Sequence, residues 1–433
     1  MPVQPVTQAE RITLLDTLRG LALLGILLMN IPVFAMPDYY EWQFDRNPSD
    51  PSYWVSAFIE IVFSGKMRAL FSIIFGAGIL LFTASKEENG QNPTGLFYRR
   101  MIWLVLFGLA DAHLLLWTGD ILYFYGLIGM IAYWFRRLPS RYLVWATPLV
   151  AIAGIATDAW YSYGHQQLRL KYNEAVAFER RHQPLTAEQQ KAKKEWMDLE
   201  KMFLPSNEEA AAHTQTMRSE YTAIAAYLRP LTWESQSTYL LITLWDPLGL
   251  MLLGMALFKW GFLTGSLPSR VYRKTAVIGY LVGLPLAAID HFYYFGRFHS
   301  QAEIIRRIET SWFEWVETFY EVQRISLTLA HVSLVILLIR SGVAQKLWAR
   351  LAAVGQLAFT NYLMQSVICT LLFFGYGLGL YGKLAYYQLY FVVIGIWVFQ
   401  LVVSPLWLAS FRFGPMEWLW RCLTYWKRFP IRR

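Results

Sequence analysis

The chain is broken up by apolar runs of roughly 17 to 25 residues, the length of α-helix that crosses a hydrocarbon core about 30 Å thick. No other feature limits the fold as tightly. In lipid every backbone N–H and C=O must find its partner within the protein, so runs of this kind close into helices. Composition agrees. Of 433 residues 56% are hydrophobic and 16% charged, against about a quarter charged in a soluble domain. The fold class expected is all-α: a polytopic integral membrane protein of about ten transmembrane helices with an extramembrane helical insertion.

The spacing predicts spans near 14–34, 67–84, 98–117, 119–135, 142–159, 237–258, 274–295, 322–340, 352–375 and 386–410. The stretch "SYWVSAFIEIVFS" (52–64) is apolar but short and carries Glu60, which suits an interfacial or re-entrant segment. Four regions follow: a first membrane half (1–159), an insertion (160–235), a second membrane half (236–410) and an interfacial helix (411–433). The insertion is rich in Glu, Lys, Gln and Ala at helical spacing, so two or three amphipathic helices are expected there. Within it "LPSNEE" (204–209) is a break and cap signal. It reads either as a solvated cap or as a lid or docking element.

Lys and Arg gather in 85–100, 136–141, 259–274, 340–350 and the C-terminal tail, whereas 37–51 is net acidic. The positive-inside bias then puts both termini in the cytoplasm and the insertion outside. The first run is long and lacks an A-x-A-like site before Pro37, so it reads as a retained helix. The net charge of +9 reflects orientation, and no nucleic-acid module is visible. Cys369 and Cys422 form neither a disulfide framework nor a CxxC pair, and the seven histidines are scattered, so no metal site is expected.

Ionisable groups at membrane depth are costly unless paired or hydrated, and each is a functional candidate. In "LLDTLRGLALLGILLMNIP" (14–32), Asp16 and Arg19 are i, i+3 neighbours, and Asn30 lies almost three turns beyond Arg19. With Leu23 and Ile26 they form a stripe facing the bundle interior. Its use is either an inner-leaflet anchor or a substrate entrance. Asp111 and His113 fall in the outer half of the third run, with Asp120 at the following turn. A histidine near carboxylates suits a general base, but residues two apart on a helix project about 200° from each other, so His113 needs a partner elsewhere. A buried polar knot is the other reading. Lys66 and Arg68 lie against the positive-inside trend and would either neutralise Asp111 or Asp120 or grip an anionic substrate. Asn361 and Gln365 make an i, i+4 polar stripe that interhelical hydrogen bonds or a substrate would use. His331 reads as hydrogen-bonded structure, Asp290 and His291 as part of an interfacial belt.

Gly414-Pro415 starts a C-terminal helix in which Glu417 and Arg421 sit at i, i+4 and tryptophans alternate with basic residues, as in an interfacial anchor. The runs "LDTLRGLALLGILLMNIPVF", "GKMRALFSIIFGAGILLF", "YRRMIWLVLFGLADAHLLLWTGDILYFYGLIG", "QLAFTNYLMQS" and "FRFGPMEWLWRCLTY" together resemble the DUF418 family of bacterial inner-membrane proteins. The opening D-x-x-R-G followed by an apolar run and Asn is also similar to the heparan-α-glucosaminide acetyltransferase family. It is more loosely similar to membrane acyltransferases that O-acylate surface sugars. Those enzymes use a histidine in or just after the first span, and none stands between residues 1 and 112 here. The resemblance implies an acyltransferase-like membrane protein moving an acyl group from a cytoplasmic donor to an envelope sugar or lipid acceptor. Under it His113, Asp111 and Asp120 are catalytic, and Asp16, Arg19, Asn30, Lys66, Arg68, Asn361 and Gln365 bind substrate. Acyl-CoA would be the donor, with no tightly bound cofactor and membrane lipids as partners. The alternatives are a transporter or lipid flippase, and a non-catalytic membrane interaction protein.

Overall fold

A computed structural model describes residues 13–37, 47–88, 90–203, 206–297, 301–313 and 315–433. In its first half α1 (Thr13–Ala35), α2 (Pro51–Val62), α3 (Lys66–Glu88), α4 (Thr94–His113), α5 (Leu122–Ala132) and α6 (Ser140–Arg180) follow in order. The insertion holds α7 (Ala187–Phe203), α8 (Asn207–Met217) and the start of α9 (Tyr221–Thr243). Next come α10 (Trp245–Lys259), α11 (Ser269–Arg297), α12 (Gln301–Thr310) and α13 (Tyr320–Arg340). The last are α14 (Gln345–Gln356), α15 (Ala358–Phe373), α16 (Tyr386–Ser410) and α17 (Pro415–Tyr425). No strand occurs among the described residues, where Phe411 and Arg432 form an isolated bridge.

The helix starts follow local rules. Asp50 accepts from Ser52 N at 2.8 Å, with Pro51 opening α2. Ser206 and Glu209 form the capping box expected from "LPSNEE", whose first two residues lie outside the described ones. The 37–51 loop is likewise described only in part.

The expected count of ten spans is corrected. Six helical runs are long and apolar enough to cross a membrane among the described residues, or seven if α14 and α15, bent by 82°, make one span. They are Thr13–Ala35, Pro51–Glu88, Ser140–Arg180, Ser269–Tyr293, Tyr320–Arg340 and Tyr386–Ser410. The third expected span stops at His113, and Leu116 takes a left-handed φ of 60°. The fourth is an 11-residue helix with a three-residue 3-10 turn, about two-thirds of a bilayer crossing. The sixth divides at Leu244. Segment 52–64 joins α3 through Gly65, whose φ is +72°, and belongs to the apolar run Pro51–Glu88. The 41-residue helix α6 continues without a break past residue 159 into the segment read as the insertion.

Apolar side chains point outward along these runs: Trp145, Leu149 and Ile152 on α6, and Phe391, Ile394, Val398 and Leu406 on α16 are exposed. An exposed apolar belt of this kind is what a lipid environment accommodates. In contrast α1 is buried over most of its length, enclosed by α3, α14, α15 and α16.

Contacts fix the two ends of the bundle. Asp16 and Glu417 line one cavity, so the start of α1 and the C-terminal helix share an end. Basic residues gather there: Arg99 donates to Thr424 O at 3.2 Å, and Lys259 donates to the carbonyls of Arg136 and Leu138. At the other end Gly382 N donates to Ala35 O, and the insertion's Arg218 donates to Tyr381 O at 2.7 Å.

One contact outside the spans makes a pH prediction. Glu309 of α12 accepts from Asn173 Nδ2 at 2.8 Å and Arg169 Nε at 2.7 Å on the extended end of α6. These donors, Asn173 first, hold its carboxyl below the usual range. A depressed folded pKa contributes stability that is present above the unfolded value, about 4.3 for Glu, and is lost as pH falls through the folded value. Amide exchange in α12 should therefore quicken below about pH 4. Glu309→Gln should abolish that pH dependence.

Candidate functional site

Where the two glycines Gly20 and Gly355 meet, α1 and α14 touch backbone to backbone. A Cβ on Gly355 would overlap the Asp16 carbonyl oxygen, and one on Gly20 would overlap that of Leu351. This approach sets Asp16 and Arg19 beside the break between α14 and α15. Arg19 Nη1 lies 2.7 Å from Asp16 Oδ1 and 3.5 Å from Gly355 O. The i, i+3 pair read from the sequence is therefore formed.

The pair stands at the mouth of a cavity of about 280 Å³, near the small end of the usual range for ligand pockets. Its rim carries Arg19, Arg100 and Arg421 against Asp16 and Glu417, and its wall is apolar, with Ile74, Phe75, Ile79, Met101 and Leu104. Glu417 does local work there: its carboxylate accepts from Phe359 N at 2.7 Å, Thr360 N at 3.0 Å and Thr360 Oγ1 at 2.5 Å. It thus caps the N-terminus of α15, where backbone donors are free and the helix dipole is positive. The i, i+4 partner read for it, Arg421, lies over the Phe413 ring at 4.3 Å. Arg100 sits 3.6 Å from the Trp420 ring centroid, and Trp420 Nε1 donates to Arg100 O at 2.9 Å. These contacts dock α17 across the rim.

Two tyrosines, Tyr362 and Tyr125, belong to the cavity wall, and each leads to a buried polar cluster. Tyr362 Oη accepts from Trp117 Nε1 and Ile121 N, both at 3.1 Å, and donates to Asp120 Oδ1 at 3.4 Å. Asp120 Oδ2 accepts from Tyr123 N at 2.9 Å, which caps α5. Asp111 accepts from Ser366 Oγ at 3.2 Å and lies beside Asp120.

On the other side Tyr125 Oη lies 2.5 Å from Ser72 Oγ and 3.4 Å from Arg68 O. Arg68 pairs with Asp246 at 2.8 Å, and Arg324, 1% exposed, pairs with both Asp246 and Glu321. Lys66 Nζ donates to Glu60 O at 2.9 Å.

The structure thus unites Asp111 with Asp120, and Asp16 with Arg19, but distributes the other sequence candidates. His113 Nε2 lies 3.0 Å from Gln236 Oε1 on α9, which supplies the partner on another helix that the spacing requires. Lys66 and Arg68 face Glu60 and Asp246 and do not neutralise Asp111 or Asp120. Asn361 donates to Val354 O and Ser404 Oγ, Gln365 to Gln400 Oε1, and Gln400 back to Asn361 O. That loop of amides joins α15 to α16. Asn30 is half-buried on α1. None of His113, Lys66, Arg68, Asn30, Asn361 or Gln365 lines the cavity. His331 bonds Tyr280 and Val62 O, as expected of structure. Asp290 accepts from Gln323 at 2.6 Å.

The sequence reading missed Tyr125, Tyr362, Arg100, Asp246 and Arg324. Asp246 and Arg324 had a usable signal, since each is an isolated charge inside an expected span. The tyrosines had none, because aromatics are common throughout the chain.

A buried first helix, a broken helix pair and a cavity between them define a polytopic α-helical protein with helices of membrane-crossing length. Comparison with known proteins places the particular family. The family model described as "Protein of unknown function (DUF418)" matches residues 257–427. "Uncharacterized protein YxaH" of Bacillus subtilis (strain 168) is 30% identical, covering 100% of this chain and 98% of its own length. "Uncharacterized protein YeiB" of Escherichia coli (strain K12) is 29% identical, with 96% of both chains covered. The chain belongs to the DUF418 family. No solved structure matches it.

Proposed function

We propose that the protein is a membrane-embedded acyltransferase-like enzyme of the bacterial inner membrane. Both termini face the cytoplasm, and an acyl group passes from a cytoplasmic donor to an envelope sugar or lipid. The observation that carries this reading is the cavity itself. Its rim holds three guanidiniums against two carboxylates, its wall is apolar, and it opens at the basic end of the bundle. This suits an amphiphile with an anionic head and an acyl-bearing arm, such as acyl-CoA. Its volume accepts the arm and leaves the phosphates at the rim, beside Arg19, Arg100 and Arg421.

In this reading the thioester lies near Tyr362 and the Asp111–Asp120 pair, and the acceptor arrives from the opposite end. Gln236 Oε1 can only accept, so the bond from His113 places a proton on Nε2 and leaves Nδ1 as the basic nitrogen. Nδ1 takes the acceptor hydroxyl's proton as that oxygen attacks the thioester carbonyl carbon. The C–S bond breaks, and the thiolate leaves protonated through Asp120 and Tyr362. The acid pair ends the step by taking up the proton that His113 gives back.

Labelled acetyl-CoA incubated with the full-length protein in lipid nanodiscs should yield an acylated glycoside or lipid. His113→Ala should slow this at least about a hundredfold, the lower bound for a general base. A merely partial loss removes His113 from the role. A transport reading draws on the broken α14–α15 pair, since helix breaks at binding sites recur in transporters. It predicts donor-independent passage of labelled amphiphile between leaflets and no acylated product.

A further inference from the structure

At the mouth of the cavity the protein leaves the charge of Arg100 unanswered. Arg19 is paired with Asp16, and the Glu417 carboxylate is taken by the donors at the start of α15. The ionisable groups that bear on Arg100 are Tyr425, Arg421 and Arg19, with no carboxylate among them. Among the described residues its guanidinium makes no hydrogen bond and no ion pair. It lies instead 3.6 Å from the Trp420 ring centroid and 5.3 Å from that of Phe82. Contact with rings leaves its five N–H donors without an oxygen. The residue is half-buried and lines the cavity. A guanidinium held between two others in an apolar wall is costly unless an anion joins it.

A second, independent feature stands one turn deeper. Helix α3 lines the cavity with Phe71, Phe75, Gly78 and Phe82, a stripe about 16 Å long at 1.5 Å per residue. Phe82 marks its Arg100 end, and Phe71 and Phe75 pack against Tyr125 at its deep end, each at 5.3 Å. Gly78 interrupts this row of phenyl rings. A Cβ on Gly78 would meet no atom within 4 Å, whereas one on Gly76 would overlap Met251 O. Gly76 is thus required where α3 packs on α10, and Gly78 answers no such contact. Glycine weakens a helix interior relative to alanine, so its presence here needs another cause. What the missing side chain preserves is the width of the cavity, between the head-group end and the two tyrosines.

We propose that Arg100 anchors a phosphate of the ligand and that Gly78 keeps clear the passage along which the ligand's arm runs toward Tyr125 and Tyr362. Resting on the acyl-transfer reading, this makes Gly78 the specificity-determining position for the donor. It admits a phosphate carried on a slender, unbranched arm. Arg100 suits the head because a guanidinium grips phosphate oxygens through paired N–H groups, while the Trp420 and Phe82 rings hold it in place. The arm then passes Gly78 between Phe75 and Met101, which line the same cavity.

Calorimetric titration of the full-length protein in nanodiscs separates head from arm. Acetyl-CoA carries both, and ADP carries the pyrophosphate without the arm. Arg100→Gln should weaken both ligands about tenfold, the loss of one charge-assisted hydrogen bond, and Arg100→Lys should weaken them less. Gly78→Leu should weaken acetyl-CoA by about tenfold or more, the effect of filling the passage, and leave ADP unchanged. Gly78→Ala should do so to a smaller extent, and it carries the test if the leucine variant does not fold. Failure of the unsubstituted protein to bind either ligand overturns the proposal. Acetyl-CoA binding that is unchanged in Arg100→Gln or in Gly78→Leu overturns it too, as does loss of ADP binding in a folded Gly78→Leu protein. Turnover measured beside binding separates the two readings. The expected binding pattern without acyl transfer keeps the site and sinks the enzyme. Acyl transfer whose KM for acetyl-CoA is indifferent to both substitutions keeps the enzyme and overturns the site.

Discussion

Replacing Asp246 by asparagine is expected to lower the stability of the folded protein by about 3–5 kcal/mol, the cost of removing one partner from a buried ion pair. The side chain is 11% exposed and serves two arginines, Arg68 on α3 and Arg324 on α13. Asparagine preserves the shape and can accept a hydrogen bond, but it leaves the network with one negative charge fewer. Arg68, half exposed, can rehydrate, so most of the cost falls on Arg324, whose remaining carboxylate partner is Glu321. Steric-trap or denaturant unfolding in bicelles reads the difference. A loss below about 1 kcal/mol, the range of exposed pairs, would show that the network is hydrated throughout and contradict its burial. The expectation is strict because α10 contributes Asp246 from its first turn, and so ties α3 and α13 to one point.

Gly355→Ala is expected to cost about 3 kcal/mol, at the upper end of ordinary overpacking penalties. The added methyl meets backbone, Asp16 O and Gly20 N, and a backbone contact of that kind has no rotamer by which to escape. The helices α1 and α14 must separate, and Arg19 then loses its contact with Gly355 O. Gly20→Ala meets Leu351 O in the same interface. The two substitutions should therefore be less than additive together, since the first already opens the crossing that the second obstructs. Unfolding of the single and double variants checks both points, and additive losses would mean that the two glycines do not share one crossing.

Much of the fold is legible residue by residue. The stretch from Leu14 to Ile31 announces a helix by length and apolarity, and Asp16 with Arg19 forms the pair that a 3.6-residue repeat dictates. Ser206 and Glu209 make the capping box their spacing specifies. Pro415 opens α17 at the first helical position. Each of these depends on neighbours within one or two turns, so the sequence contains everything needed.

Span counting fails where tertiary contacts override apolarity. Residues 114–117 are apolar enough to carry α4 to the expected end of the third span, but Trp117 and Ile121 are held by Tyr362 and Asp120 turns to cap α5. Glu417 reads from its spacing as a helix-surface neighbour of Arg421, and the spacing gives no sign that it also caps a helix that starts nearly sixty residues earlier. Asn361 and Gln365 read as one stripe on one helix, and they prove to be one side of an amide loop closed by Gln400 on the next.

By itself the sequence determined that the chain forms apolar helices of membrane-crossing length, where several of them start, and which charges pair within a turn. Only the tertiary structure decided which runs are whole and which are broken, that Arg68 belongs to Asp246, that Tyr362 belongs to Asp120, and that Arg19 shares a cavity with Arg100 and Glu417. The physical reason is range. Helix length, caps and i, i+3 pairs are set by backbone geometry over a few residues, whereas the partner of a buried charge is whichever group the packing brings near, and that group is tens to hundreds of residues away.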